Sequence, residues 1–433
     1  MISRDRYLQK LIRTMHNGRI KIITGIRRCG KSWLLFRIFR DYLLSTGVEP
    51  SHIVEIALDK QKFVELRDPR ALYDYMTKKI SQGGERFYIF IDEIQMAYRV
   101  KMKVDALQVA EEDRGHLYMT FYDVLNNYIN DPNVDIYVTG SNSRMLSSDV
   151  LTNFRDRGCE VRLHPLSFGE YYAYMHEKHD MDKWDAWSQY IVYGGMPLGV
   201  LARDDKERAD YLIGLYRKLY YADLIERYNI RDDEILDKLV DLLSSSIGSL
   251  TNPRRLANAM NSTFHAGTTD KTIRRYIEAL EDAFIFSKAR RYDVKGKGYF
   301  DYPVKYYAED VGLRNARLNF RQIEETYLME NIIYNELIRR GYMVDVGAIK
   351  IDSGMHEIDF VVNMADKRIY IQSALSIVQP DKAEQESASL LQCRDAWPKW
   401  IITGGNALPH CDENGIYRVG VLPFLLSENI LGD

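Results

Sequence analysis

The eight residues from Gly25 to Ser32 read GIRRCGKS and satisfy G-x-x-x-x-G-K-[ST] at every fixed position. Glycines at that spacing let backbone N–H groups curl around phosphate oxygens, and a helix that starts after the loop adds partial positive charge. Lys31 is placed to reach the β- and γ-phosphates, and the Ser32 hydroxyl to ligate Mg2+. Sixty-one residues beyond Lys31, FYIFIDEIQ puts Asp92 and Glu93 at the end of a short apolar run. An aspartate there can hold the hydration shell of the metal, and the next glutamate can polarise the attacking water. A third polar tip, Thr139-Gly140-Ser141-Asn142, ends the run in NVDIYVTG. A hydroxyl or amide at such a tip can sense the γ-phosphate or orient water; Ser141 is favoured over Asn142, with little to separate them, and a solvated turn explains the same residues. Arg155 and Arg157, in NFRDRGCEVRLHPLSF, are candidates for a guanidinium delivered to the γ-phosphate by the same or a neighbouring subunit. Solvent-facing arginines are the default alternative.

The elements that must position these groups are legible in the same stretch. Ile20–Thr24, Ile53–Ala57, Phe87–Ile91 and Val134–Thr139 read as buried strands separated by amphipathic helical segments. That alternation predicts a parallel sheet with helices on both faces. The loop opens the helical pattern SWLLFRIFRDYLL, with apolar residues at Leu34, Leu35, Ile38, Tyr42 and Leu43.

Composition sets outer limits. The 433 residues exceed one ordinary domain, and 46% hydrophobic with 28% charged residues excludes wholesale disorder. No apolar run approaches the ~20 residues of a spanning helix. MISRDRYLQKLIRTM lacks a signal-peptide core, and the four cysteines show no C-x-x-C spacing, so neither a zinc knuckle nor a disulfide framework is expected. The expectation is a soluble, cytoplasmic chain with no membrane partner. The net charge of −3, from 59 basic and 62 acidic side chains, hides polarity: residues 1–50 carry +8, residues 251–300 carry +5, and residues 351–433 carry −6. Tyrosine, with 31 copies against 15 phenylalanines, is in excess for no reason composition reveals.

Residues Phe168–Ile230 read as helical, interrupted by the turn Gly194-Gly195-Met196-Pro197. Three short helices follow: EILDKLVDLLSSSIG, RRLANAM with a cap and a first-turn proline offered by Thr251-Asn252-Pro253, and KTIRRYIEALED capped from Thr269 or Asp270. In the third, Ile273, Tyr276, Ile277 and Leu280 form the buried stripe, leaving Lys271, Arg274, Arg275 and Glu278 outside. With the basic hairpin FIFSKARRYDVKGKGYF, this reads as a winged helix whose Lys271, Arg274 and Arg275 are candidate DNA contacts. A lever or protein-docking module with a merely solvated basic face fits the same pattern.

Nearly the whole chain resembles the bacterial and archaeal AAA-type ATPases whose P-loop domain precedes a winged helix and a restriction-endonuclease-like C-terminal domain. The matching stretches include IKIITGIRRCGKSWLL, FIDEIQ, the segment from FYDVLNNYINDPNVDIYVTG through HPLSFGEYY, YGGMPL, KYYAEDVGLRNAR, YLMENIIYNELIRRGY, EIDFVV and YIQSALS. The resemblance implies ATP rather than GTP, together with Mg2+, and it raises Arg157 to the better finger candidate, although Asp156 replaces the glycine usual between the two arginines. The implied nucleotide-lining set is Gly25, Arg28, Cys29, Gly30, Lys31, Ser32, Trp33 and Asp92, with Ser32 and Asp92 on the metal and Glu93, Ser141 and Arg157 catalytic. At the C-terminal end, Glu330, Asp359 and Gln372 occupy the order of the PD-(D/E)XK nuclease core. Gln372 stands where that core has a second acid and Ala374 where it has a lysine, so nuclease activity is expected to be lost, while Glu330, Glu357 and Asp359 retain a weak metal site or act as ordinary structural acids.

The expected organisation is α/β: an AAA-type P-loop core over 1–167, a helical extension over 168–231, a winged helix over 232–300 and a restriction-endonuclease-like domain over 301–433. The leading functional expectation is an Mg2+-dependent ATPase that moves the winged helix and C-terminal domain, in contact with DNA, a protein partner or further copies of itself. The alternatives are a nucleotide-gated switch with little hydrolysis and, less favoured, an ATP-gated nuclease.

Overall fold

A computed structural model describes residues 2–80, 86–103, 109–111, 117–140, 158–217, 224–225, 228, 230, 232–296, 298–351, 354–376 and 380–432. The chain divides into two compact units, one covering 3–163 and a larger one beginning at His164.

The first unit is built on five parallel strands: β1 (Ile20–Thr24), β2 (Ile53–Ala57), β3 (Phe87–Asp92), β6 (Val134–Thr139) and β7 (Gly158–Arg162), in the order β2-β3-β6-β1-β7. A two-stranded ribbon, β4 (Val100–Lys101) with β5 (Tyr118–Met119), lies outside this sheet. Strands buried on both faces read as near-continuous apolar runs, as β3 does; β1, β2 and β6 each carry one charged residue, Lys21, Glu55 and Asp135, in an otherwise mainly apolar run. The helix after the loop begins at Lys31–Trp33, winds as a π-helix over Leu34–Phe39 and returns to α over Arg40–Ser45. Phe39 packs between Phe90 of β3 and Tyr137 of β6, with ring centroids 5.7 and 4.7 Å away.

One charge crosses this core. Lys21, fully buried on β1, pairs with Asp135 of β6. The carboxylate also accepts from Tyr137 Oη at 2.8 Å and from His16 N at 3.0 Å. Burial pushes the Lys21 ammonium down, and Asp135 pulls it back.

The second unit carries an eight-stranded mixed sheet in the order β14-β15-β13-β12-β11-β10-β8-β9. Its strands are β8 (Phe286–Asp293), β9 (Gly298–Ala308), β10 (Met343–Ile351), β11 (Gly354–Met364), β12 (Lys367–Ala374), β13 (Lys399–Thr403), β14 (His410–Cys411) and β15 (Tyr417–Gly420). The helices expected before the hairpin run over Asp233–Ser245, Pro253–Phe264 and Asp270–Asp282, with side-chain caps from Asp232, Asn252 and Thr269. The hairpin itself departs from expectation. It is not a wing standing apart from the C-terminal sheet, because β8 pairs in parallel with β10, Arg291 opposite Val346 and Tyr292 opposite Gly347. A boundary after residue 300 would therefore cut β9, whose long run supplies the outer edge of that sheet.

Two distant segments interlock within this unit. Asp310 caps the helix Val311–Arg317 and also accepts from Gly195 N at 2.7 Å. Asn315 Nδ2 donates to Ile191 O and Val192 O, each at 2.9 Å. The Gly194-Gly195 turn is glycine because a Cβ on Gly195 would lie 2.1 Å from Leu166 O and one on Gly194 2.3 Å from Asp310 Oδ1. Burial pushes the Asp310 carboxyl up to about 6, against three backbone N–H donors.

No disulfide joins any of the four cysteines. Among the described residues no helix is long and apolar enough to cross a membrane. Part of the tyrosine excess is internal: Tyr137, Tyr171, Tyr276, Tyr307 and Tyr370 are among the largest fully buried side chains, while Tyr73, Tyr98, Tyr118, Tyr299, Tyr327 and Tyr417 are exposed.

Removing one partner of a buried ion pair leaves the other charge stranded. Lys21→Ala is therefore expected to cost the first unit about 3–5 kcal/mol. Lys21→Met/Asp135→Leu is expected to cost less than half of that, and urea denaturation followed on that unit measures both.

Candidate functional site

β1 delivers the chain to the phosphate-binding loop at the C-terminal edge of the parallel sheet, where ligands bind in doubly wound folds. Gly25 adopts φ +137°, and a Cβ there would lie 2.0 Å from Leu163 O, so the loop passes against the residue that follows β7 with no room for a side chain. Gly30 (φ +102°) starts the helix from the left-handed region. Lys31 is buried, and its Nζ donates to Gly25 O at 2.9 Å and Ile26 O at 3.1 Å. The ammonium thus sits inside the loop, where a phosphate would compete with those carbonyls.

The remaining loop residues divide by role. Arg28, Ser32 and Trp33 are exposed. Cys29 is fully buried, its Sγ donating to Leu163 O at 3.4 Å and its N–H to Ile26 O at 3.3 Å. Its side chain is a strut behind the loop, so any share it has in ligand binding comes through the backbone.

The second half of the site comes from adjacent strand ends. Ile91 of β3 lies opposite Val138 of β6, which sets Asp92 and Thr139 side by side. Thr139 Oγ1 donates to Asp92 Oδ1 and accepts from Glu93 N at 3.1 Å, so one hydroxyl fixes both acids. Asp92 is buried, and Glu93 turns away from the strand at φ +53°. Burial raises the Glu93 carboxyl above the usual range; Lys31 pulls it down, Asp92 pushes it up, and a hydrogen bond from Gln95 pulls it down. A desolvated carboxylate next to an ammonium suits a group that must accept a proton from water. Ser141, Asn142, Arg155 and Arg157 lie outside the described residues. Thr139 was part of the polar tip read in the sequence, but its hydroxyl's task was not; the signal was a threonine ending a strand adjacent to the acidic one.

Lys271, Arg274 and Arg275 all project from the exposed side of the helix Asp270–Asp282. Arg274 lies over the Tyr302 ring at 5.6 Å and Arg275 over Tyr276 at 5.3 Å. On the neighbouring hairpin, Arg290 covers Tyr299 at 4.2 Å.

The acids of the C-terminal sheet also converge. Glu330, on the helix Glu325–Arg339, meets Asp359 of β11. Gln372 of β12 is tied in through its Oε1, which accepts from Asp359 N at 3.2 Å. Two members were not foreseen in this arrangement. Lys305 of β9 puts its Nζ 2.9 Å from Glu330, 2.7 Å from Glu357 and 3.3 Å from Asp359. Tyr307 Oη donates to Glu330 at 2.7 Å. Ala374 does leave its own position without a nitrogen, but the cluster is not without a lysine, because one enters from a different strand. Burial raises Glu330 to about 7 against the pull of Lys305, with Asp359 adding to the rise.

Two family models match the chain: an AAA domain over residues 17–172 and a Domain of unknown function (DUF8612) over residues 185–324. An uncharacterized protein of Haemophilus influenzae is 34% identical over 432 residues, covering 98% of this chain and 99% of that protein. An uncharacterized protein of Methanocaldococcus jannaschii is 25% identical over 385 residues, covering 86% and 78%. Solved structures align more loosely. The Aeropyrum pernix ORC1 protein in complex with DNA aligns over 74% of this chain and 93% of that one, at 13% identity and a TM-score of 0.28. Cdc6p from Pyrobaculum aerophilum aligns over 76% and 94%, at 11% identity and a TM-score of 0.27. The identity with the Haemophilus influenzae protein shows that the chain belongs to that protein's family, one built on an AAA-type P-loop domain.

Proposed function

We propose that this chain is an Mg2+-dependent ATPase whose nucleotide cycle drives movement of the helical and C-terminal parts that follow the P-loop core. The observation that carries this reading is the Thr139 hydroxyl bridging Asp92 and Glu93 beside a strand that ends in a complete phosphate-binding loop. The donor set suits the metal: a hydroxyl at the first turn of a helix and a buried carboxylate are hard oxygen ligands. Bound Mg2+, held by Ser32 and Asp92, would neutralise charge on the phosphate oxygens. Lys31 exchanges its loop carbonyls for phosphate oxygens, and loop N–H groups and the helix start orient the chain of phosphates. Glu93 takes the proton from the attacking water, and Thr139 keeps its carboxylate aimed by anchoring its N–H. Ser141 and Arg157 are proposed to sense and stabilise the γ-phosphate.

The three-helix segment with its hairpin is proposed to act as a winged helix that touches DNA through Lys271, Arg274 and Arg275. The nuclease-like C-terminal domain is proposed to be catalytically silent.

Single-turnover ATP hydrolysis tests the first proposal. Glu93→Gln is expected to bind nucleotide within about threefold of wild type and to hydrolyse it roughly 100-fold more slowly. Thr139→Val is expected to lose about tenfold in rate with binding likewise retained. Because Glu93 acts ionised and burial raises its pKa, the rate should fall with falling pH along a limb above the ordinary glutamate range. Wild-type turnover no faster than that of Glu93→Gln would instead leave a nucleotide-gated switch. For DNA, Arg274→Ala/Arg275→Ala is expected to weaken gel-shift affinity and flatten its salt dependence by about two counterions. Affinity indifferent to both substitutions and to salt would remove the contact.

A further inference from the structure

The PD-(D/E)XK resemblance implies a divalent metal among Glu330, Glu357 and Asp359, and the residues present do not fit one. The point on which the three carboxylates converge holds the Lys305 ammonium, at 2.9, 2.7 and 3.3 Å from their oxygens. An ammonium has only donors, and this one gives hydrogen bonds to Glu330 and Asp359 while Glu357 completes the ion pairing. The surrounding oxygens are engaged as well: Glu330 Oε1 also accepts from Tyr307 Oη at 2.7 Å, and Asp359 Oδ2 accepts from Ser373 N at 2.9 Å. Mg2+ demands octahedral oxygen at about 2.0–2.1 Å and keeps several waters, which cannot share that point with a lysine head. Among the described residues no group of three or more metal-ligating side chains is arranged to hold an ion.

Lys305 is also held in place along its strand. It is 2% exposed, and the residues around it are tied to the turn after the helix Asp233–Ser245. Thr251 N donates to Val304 O at 2.8 Å, Val304 N returns the bond to Thr251 O at 2.9 Å, and Gly248 N donates to Tyr306 O at 3.1 Å. That turn approaches the acids directly, since a Cβ on Gly248 would lie 3.1 Å from Glu330 Oε1. Moving the ammonium aside would break two charge-assisted hydrogen bonds and the ion pair with Glu357, and would disturb a strand bonded on both sides of the lysine.

We infer that Lys305 is the resident cation of this centre: its ammonium replaces the metal of the nuclease-like fold and joins the three-helix segment to the C-terminal sheet through β9. The centre is metal-independent and structural, and this holds whether or not the chain hydrolyses ATP.

Manganese binding to the nucleotide-free full chain, read by electron paramagnetic resonance, tests the assignment. Wild type, Asp359→Asn and Glu330→Gln are expected to bind the same amount of Mn2+, and EDTA to leave the wild-type melting temperature unchanged. Lys305→Met strands the acids and is expected to lower the melting temperature by about 5–10 °C. Lys305→Met/Asp359→Asn is expected to recover at least half of that loss. One further equivalent of Mn2+ in wild type than in both acid variants, or destabilisation of wild type by EDTA, would overturn the assignment. So would a Lys305→Met protein as stable as wild type. The manganese comparison needs no Lys305 variant and decides the matter even if Lys305→Met fails to fold.

Discussion

Charge buried away from water has to be matched inside the fold, and that constraint organises both units of this chain. An unpaired interior charge costs several kcal/mol, more than a typical single contact returns. Lys21 finds Asp135 across β1 and β6. Lys31 finds two loop carbonyls, and Asp92 finds the Thr139 hydroxyl. In the larger unit Glu336 lies between Arg339 and Arg340, and Lys305 sits among three acids. These matches differ in kind. The Lys21 and Lys305 pairings are complete within the protein. The Lys31 pairing uses two neutral carbonyl acceptors, weaker partners for an ammonium than a carboxylate.

The strand order brings the parts of the nucleotide site together. With β6 between β1 and β3, the ends of three adjacent strands present Gly25, Thr139 and Asp92 along one edge. A sheet with β1 beside β3 would leave no strand end between loop and acids, and no hydroxyl to tie Asp92 to the backbone of Glu93. The loop is further backed by Leu163, whose carbonyl meets both Gly25 and Cys29, so its shape is set by the rest of the unit rather than by its glycines alone.

Local signals carried much of this into the sequence. β1, β2 and β6 begin and end where expected, and the helix caps at Asn252 and Thr269 follow from residue type and position, whereas the Asp232 cap was not foreseen. The exposed basic side of the helix Asp270–Asp282 was likewise readable from its period. What stayed hidden depends on pairing between distant segments. Nothing near Arg291 says that β8 will lie against Val346, so the hairpin read as a wing. Lys305 carries no local signal because its partners are 25 to 54 positions away. The tyrosines were ambiguous for the opposite reason, since an amphipathic ring suits a surface or a core equally. Three of the buried ones give their hydroxyls to carboxylates: Tyr137 to Asp135, Tyr307 to Glu330 and Tyr370 to Asp395.

The loop and its neighbouring strand ends are proposed to form a working nucleotide site. Phosphate release from ATP by the purified chain, with Mg2+ or EDTA and with wild type or Lys31→Ala, is the decisive measurement. Release is expected to require Mg2+ and to fall to background in Lys31→Ala. Release that is absent in wild type, or equal in the two proteins, would contradict the proposal.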